Sequence, residues 1–451
     1  MFNRRHLPEL RKYARVEARL PYEVDGTYGA LVVPTINEDL PIHGWFKYKE
    51  AFSADLVSRI LDFIAPDFST GSTVRLLDPF CGVGTSLLSA QLHSSERLRI
   101  EAIGIDCNPF SAFVARTKIS WPSINPHKLR AMAGGLLAVA PPDRSVPLPE
   151  LSSISTGRCI SKHSARQILA LRSTIESLPE SDERSALLLG LASCIDPVSK
   201  VRRDGRALRL VDKSRVVLRE ILHSRWEAMA ADVEQLRSTH ASPGIARVLT
   251  GDGRVFTQSS QADSGFDLIV TSPPYPNNID YNEVYKLELW LMGFVTTADA
   301  FLNLRRRTFR SHPTCDVLPG DSRDTRDFAD LMESGPLADL LGMVARRAKA
   351  LDRETSRGRE RVLSGYVFDT WTSLKAHHKM LKSDGLAVYV VGNSLHGGKE
   401  KPYLIPTDLV VSELGKLLGF EVEKLIVARP LRRRLAGNHF LRDSVVVLRK
   451  K

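Results

Sequence analysis

The residues of this chain best suited to chemistry are Ser272, Pro273, Pro274 and Tyr275. They sit in the run Asp267-Leu-Ile-Val-Thr-Ser-Pro-Pro-Tyr275, which continues through Pro276-Asn-Asn-Ile-Asp-Tyr281. Apolar and small side chains from Leu268 to Thr271 predict a buried strand, and the proline pair ends it, so the last side chains are displayed at a sheet edge. Each proline fixes a φ angle and removes an N–H, which stiffens the loop and leaves its carbonyls free to accept hydrogen bonds. A hydroxyl, a carbonyl and an aromatic face on one stiff loop can hold a flat heterocycle bearing an amino group. Taken alone, the same four residues equally describe an ordinary strand-to-loop turn.

Other chemistry-bearing residues fall where further strands are predicted to end. Val74-Arg-Leu-Leu-Asp-Pro-Phe-Cys-Gly-Val-Gly-Thr85 reads as a strand, a glycine loop and a helix from Ser86 onward. Gly82 and Gly84 let the backbone approach a ligand closely, and Asp78 can bind an ammonium or a hydroxyl. The loop lacks both the Gly-x-Gly-x-x-Gly pattern and a phosphate-cradling lysine, so it suits a positively charged cofactor better than a pyrophosphate. Ala102-Ile-Gly-Ile-Asp106 is the next strand, and an acid at that place is the expected partner of ribose hydroxyls. Ala246-Arg-Val-Leu-Thr-Gly-Asp252 repeats the arrangement. In an open parallel sheet, Asp78, Asp106, Asp252 and Ser272 would line one crevice. Upstream, His43-Gly-Trp-Phe-Lys-Tyr-Lys-Glu-Ala-Phe-Ser53 is dense in aromatics and precedes a helix (Leu56, Ile60, Leu61, Ile64) that Ser53 can cap.

These strands alternate with helices, which predicts an α/β fold: a doubly wound, mostly parallel Rossmann-like sheet with an antiparallel C-terminal edge, plus a largely helical insertion. The expected organisation is a basic arm over 1–42, the cofactor half of the core over 43–121, a helical insertion over 122–245 and the catalytic motif over 246–300. A basic insertion over 301–365 and the end of the core over 366–451 complete it. Helices are predicted over 165–178, 183–194, 214–236, 283–294 and 368–381, a turn at Asp384-Gly385, and strands over 386–391, 420–428 and 444–448. Lys and Arg outnumber Asp and Glu by 63 to 52, a net charge of +11 that favours polyanionic partners. Within the insertions, Arg202, Arg203 and Arg206 flank an Asp-Gly turn, read as a basic loop, and Arg305, Arg306 and Arg307 form a second cluster. Both are candidate phosphate or base contacts, with a solvated basic face as the plainer alternative. The five scattered cysteines show no Cys-x-x-Cys spacing, which argues for reduced thiols in a cytoplasmic protein and against a disulfide framework or zinc site. No apolar run is long enough to span a membrane.

Asp-Pro-Phe-Cys-Gly-Val-Gly-Thr (78–85) together with Thr-Ser-Pro-Pro-Tyr (271–275) resembles the S-adenosylmethionine-dependent DNA methyltransferases that modify exocyclic amino groups. The Ser-Pro-Pro-Tyr form is similar to the cytosine-N4 branch, whereas the adenine-N6 branch more often has Asp in place of the serine. The resemblance covers roughly 43–120, 246–295 and 366–451, and the long insertion between Asp106 and Asp252 departs from the compact family pattern. It implies that Asp78, Gly82 and Gly84 hold the cofactor's methionine end, Asp106 its ribose and Asp252 its adenine amino group, with Phe80 and Thr85 also binding the cofactor and Phe52 closing the pocket. Ser272, Pro273, Pro274 and Tyr275 would hold the target base. The implied partners are double-stranded DNA and a separate restriction endonuclease. Rival readings are adenine-N6 methylation of DNA, amino methylation of RNA, and a catalytically silent DNA-binding protein. The serine weighs against the first, and the intact motifs weigh against the last.

Overall fold

The computed structural model describes residues 7–137, 156–204, 207–213, 216–240, 242–255, 265–320, 322–355, 357–397, 401–431 and 439–451. Twelve strands lie among these residues. They are β1 Tyr22–Val24, β2 Ser72–Asp78, β3 Leu98–Asp106, β4 Val201–Asp204, β5 Ala207–Leu210, β6 Ile245–Thr250, β7 Phe266–Thr271, β8 Leu381–Gly392, β9 Ser394–His396, β10 Tyr403–Ile405, β11 Phe420–Pro430 and β12 Arg442–Lys450. Eight of them form one sheet in the order β1-β11-β12-β8-β7-β2-β3-β6. All neighbours pair in parallel except β12, which runs antiparallel to both β8 and β11. The expected antiparallel C-terminal pair is thus present, with one addition. The outermost position belongs to β1, which pairs in parallel with β11.

Helices cover both faces because the central strands are apolar on both sides. Val74 and Leu76 pack with Leu56, Val57, Ile60 and Leu61 of helix Ala54–Ile64. Leu77, Ile105 and Ile269 pack on the opposite face with Val367, Trp371 and Leu374 of helix Arg359–Met380. Ser53 caps the first of these helices as its sequence position predicts, its Oγ accepting from Asp55 N at 3.1 Å. A third core joins helices Lys162–Glu176, Asp182–Ser193 and Leu218–Thr239 to helix Pro109–Ile119 of the sheet layer.

Two local readings change. The segment expected to be a basic loop around Asp204 is a hairpin, β4 paired antiparallel with β5, although residues 205 and 206 lie outside the described residues. Its alternation puts Arg203 inward and Arg202 outward. The predicted turn at Asp384-Gly385 is a looped-out stretch within β8. Leu381 pairs with Phe266, pairing resumes at Leu386 opposite Leu268, and Asp384 carries a left-handed φ of 62°.

Candidate active site

The carboxyl ends of the parallel strands and the start of antiparallel β12 share one edge of the sheet, and a cleft of about 320 Å³ opens there. Phe80, Gly82 and Asp106 line it from the ends of β2 and β3, and Asp252 from the turn after β6. Ser272, Pro273, Pro274 and Tyr275 line it from the end of β7. The residues nominated from sequence as catalytic and several of those nominated for a cofactor therefore face each other across one space.

On the cofactor side, Asp106 holds the glycine loop by accepting from Gly82 N at 2.9 Å and from Asn108 N at 2.8 Å. Part of its surface stays open to the cleft, yet burial pushes its carboxyl up to about 7, with the nearby Asp78 charge adding to the rise. No cation pairs with Asp106 among the described residues, and its remaining lone pairs are open to hydrogen-bond donors in the cleft. Asn108 caps helix Pro109–Ile119 and donates from Nδ2 to Asn282 Oδ1 at 2.8 Å, tying the cofactor side to the segment after the catalytic loop.

Other nominated residues stand elsewhere. Asp78 is buried behind the cleft wall, where it accepts from Ser86 Oγ, from Thr271 Oγ1 at 2.8 Å and from Phe80 N at 3.1 Å. Burial raises its carboxyl to about 6, and its hydrogen bonds join β2, β7 and helix Thr85–His93. Gly84, at φ 80°, is spent on helix packing, since a Cβ there would lie 2.9 Å from Ala115 Cβ. Thr85 is buried beside a small separate pocket with His43 and Lys118. Phe52 is a core side chain against helix Ala54–Ile64, and Tyr48 and Ala51 of the same aromatic stretch line the cleft in its stead. Asp252 does line the cleft, but Arg254 grips its carboxylate from Nε at 2.9 Å and from Nη2 at 2.7 Å. That guanidinium also reaches Asp369 and the carbonyls of Arg307 and Thr308, so it fastens the Arg307–Phe309 stretch to the cleft rim.

The acceptor side is stiff. Ser272 Oγ donates to Tyr275 Oη at 3.4 Å, and Tyr275 N donates to Tyr281 Oη at 3.4 Å. Burial and the charge of Asp443 keep the Tyr275 phenol well above its ordinary range, hence neutral. From behind, Ser394 Oγ donates to Pro276 O at 2.8 Å. Tyr48 stacks on Tyr285 at 4.9 Å, and the Tyr285 hydroxyl donates to Glu50, a carboxyl raised by burial on the cleft wall.

The nominated arginines divide. Arg203 is largely buried in an ion pair with Glu288 and lies over the Tyr285 ring at 4.5 Å, so it anchors the hairpin. Arg305 is likewise engaged, by Asp280 at 2.6 Å and Thr314 at 3.2 Å. Arg202, Arg306 and Arg307 are exposed, and Arg307 lines the cleft mouth. Arg206 lies outside the described residues. Glu50, Arg254, Arg429 and Asp443 escaped the sequence reading. Glu50 belongs to the aromatic stretch and Arg254 follows a nominated acid, but Arg429 and Asp443 have no local signal.

A sheet of this order with a cofactor-sized cleft at its carboxyl edge defines an α/β methyltransferase fold. No family model matches the chain. Among curated proteins it is similar to the Type II methyltransferase M.BsoBI of Geobacillus stearothermophilus, 26% identical over 290 residues, or 58% of this chain and 55% of that protein. The chain thus spans about half of that relative. It is also similar to the Type II methyltransferase M.AvaI of Nostoc sp., 25% identical over 432 residues covering 87% of this chain and 81% of that one. M.MvaI of Kocuria varians, another Type II methyltransferase, is 21% identical over 364 residues, 76% and 74% of the two chains. Among solved structures, an rRNA methyltransferase of Streptomyces viridochromogenes aligns at 12% identity over 88% of this chain and 85% of its own, with a TM-score of 0.29. Over most of its length the chain is thus similar to Type II methyltransferases. Among the described residues no helix is long and apolar enough to cross a membrane.

Proposed function

We propose that this chain methylates the exocyclic N4 amino group of cytosine in double-stranded DNA at a specific sequence. It would be the modifying arm of a restriction-modification or defence system that has a separate endonuclease. The observation that carries the reading is the placement of Ser272-Pro-Pro-Tyr275 across one cleft from Asp106 and Gly82. When bound, S-adenosylmethionine supplies an electrophilic methyl group on a sulfonium.

The chain's own residues do the rest by positioning. Asp106 accepts from the ribose hydroxyls, and Phe80 and Gly82 shape the space beside it. The amino nitrogen of cytosine is a poor nucleophile because its lone pair is delocalised into the ring. The Ser272 hydroxyl and the Pro273 carbonyl accept its two hydrogens, which favours a pyramidal nitrogen with its lone pair directed at the methyl. A nitrogen so held would take the methyl directly, with no covalent bond between enzyme and base, the cofactor leaving as its neutral thioether and the surplus amine proton passing to solvent at the cleft mouth. Pro274 stiffens the loop, and Tyr275 replaces the stacking lost when the base leaves the duplex. The exposed cations Arg306 and Arg307 fit phosphate contacts at the cleft mouth, which makes the 301–365 segment the favoured target-recognition region.

The test is to express the chain in cells free of other DNA methylation, digest their DNA to nucleosides and identify the product by mass. N4-methylcytosine in one sequence context is expected. N6-methyladenine instead would overturn the choice of base, and DNA without added methyl groups would overturn the enzymatic reading.

A further inference from the structure

We propose that Arg429, held in place by Asp443, reads the target base and selects cytosine over adenine. This rests on the base-methylating reading above and deepens it. Arg429 on β11 is the direct register partner of Asp443 on β12, and Asp443 is in turn the partner of Gly392 on β8. The three form a row across the sheet at the edge where the cleft opens, and Arg429 and Asp443 both line it.

Gly392 leaves the room this row needs. A Cβ there would lie 2.7 Å from Asp443 Oδ1 and 2.8 Å from Tyr275 Cε2, so the missing side chain lets the Tyr275 ring settle beside the carboxylate. Asp443 is nearly buried, with 8% of its side chain exposed, and it accepts from Arg429 Nε at 2.7 Å. Among the described residues Asp443 is the ion-pair partner of Arg429, whose side chain remains 39% exposed. Anchoring through Nε leaves the two terminal nitrogens as a planar pair of donors beside the proposed base site.

The chemistry of the base then decides. With its amino group at Ser272 and Pro273, cytosine presents two neighbouring acceptors along the same edge, N3 and then O2. Adenine in the same pose presents N1 and then a C–H. A guanidinium fork matches the first pair with two parallel hydrogen bonds, whereas with adenine one N–H is left without an acceptor. The roles are therefore distinct: Ser272 and Pro273 orient the amine that both bases share, and Arg429 distinguishes the rings that carry it.

The test uses the full chain, unmethylated DNA and S-adenosylmethionine with a labelled methyl group, under single turnover, with methylated nucleosides resolved by mass. Arg429→Gln is expected to slow cytosine methylation by about tenfold or more, with an unchanged Kd for S-adenosylhomocysteine and a lowered melting temperature, because the nearly buried Asp443 loses its cation. Arg429→Lys, which keeps the charge but not the fork, is expected to lose nearly as much. Asp443→Asn, which keeps the arginine and loosens it, is expected to fall between. Once the methylated position is mapped, a duplex with adenine at that position should be discriminated less well by both Arg429 variants than by the wild type. A wild-type rate and selectivity in Arg429→Lys would overturn the proposal, because a phosphate or purely electrostatic contact tolerates lysine. If the unaltered chain makes N6-methyladenine, the proposed function has failed. If it makes N4-methylcytosine and Arg429→Lys behaves normally, only the Arg429 assignment has failed.

Discussion

The two walls of the cleft are built by different means. On the cofactor wall the polar groups are held mainly by near neighbours in sequence, with Thr271 on Asp78 and Asn282 on Asn108 the distant exceptions. Asp106 grips Gly82 and Asn108, and Asp78 grips Phe80 and Ser86. The acceptor wall is assembled from afar. Tyr275 lies against Gly392, beside the Arg429–Asp443 pair, and Ser394 supports the Pro276 carbonyl. A wall of local contacts forms wherever its βαβ unit folds, whereas a wall of distant contacts forms only when the C-terminal strands have joined the sheet. Cofactor binding and base binding should therefore be separable by substitution.

The largest separation is expected at Ser272. Ser272→Ala should slow single-turnover methyl transfer by roughly 10²- to 10³-fold, while calorimetry shows an unchanged affinity for S-adenosylhomocysteine. Equal losses in both would mean that the walls act as one.

Asp106→Asn should do the converse, weakening S-adenosylhomocysteine binding by about ten- to a hundredfold through loss of charge-assisted hydrogen bonds. The wild-type protein should bind the cofactor less tightly as pH falls through about 7, because the carboxyl must be ionised to accept both ribose hydroxyls. Titrated calorimetrically, the Asp106→Asn variant should show no such dependence, and a retained dependence would locate the titrating group elsewhere.

Behind the cofactor wall, Asp78→Ala should cost stability more than affinity, about 2 kcal/mol, since Ser86 and Thr271 would be left buried without their acceptor. Denaturant melts would measure it. The same two carboxyls set a pH trend. Folded values near 6 and 7 lie above the ordinary value of 3.8, so between 3.8 and those values the native chain binds more protons than the unfolded chain. Stability without cofactor is then greatest at the acid end of this window and declines as pH rises through it.

The smallest effect belongs to the exposed cations. Arg306→Ala should reduce the slope of log affinity for duplex DNA against log salt by about 0.9 and leave the melting temperature alone. Arg305→Ala should instead lower the melting temperature, because Asp280 and Glu283 would lose the guanidinium between them. A pair that behaved alike would erase the distinction between anchoring and displayed arginines.

Much of the cofactor wall is legible in the sequence. Strand ends at Asp78, Asp106 and Ser272 follow from apolar runs stopped by proline or glycine, and the structure ends β2 and β3 at those acids and β7 one residue before Ser272. The aromatic stretch before Ser53 stands out as a block, but which of its rings faces the ligand does not. Phe52 points into the core and Tyr48 into the cleft, a choice made by the packing of helix Ala54–Ile64. The two arginine clusters are visible by charge, and charge does not announce burial. Arg203 and Arg305 found carboxylates on other elements, whereas Arg306 and Arg307 did not leave the surface.

By itself the sequence determined the alternation of strands and helices, the glycine loop with its acids and the stiff Ser272-Pro-Pro-Tyr275 edge, because each depends on interactions between residues close along the chain. Tertiary structure alone decided that Asp78 is a brace and not a cleft group, that Arg254 ties Asp252 to Asp369 and to the Arg307 and Thr308 carbonyls, and that Arg429 stands beside Tyr275. Those outcomes depend on which strands become neighbours. Insertion of β12 between β8 and β11 is what brings Asp443, Arg429 and Gly392 into one row at the cleft.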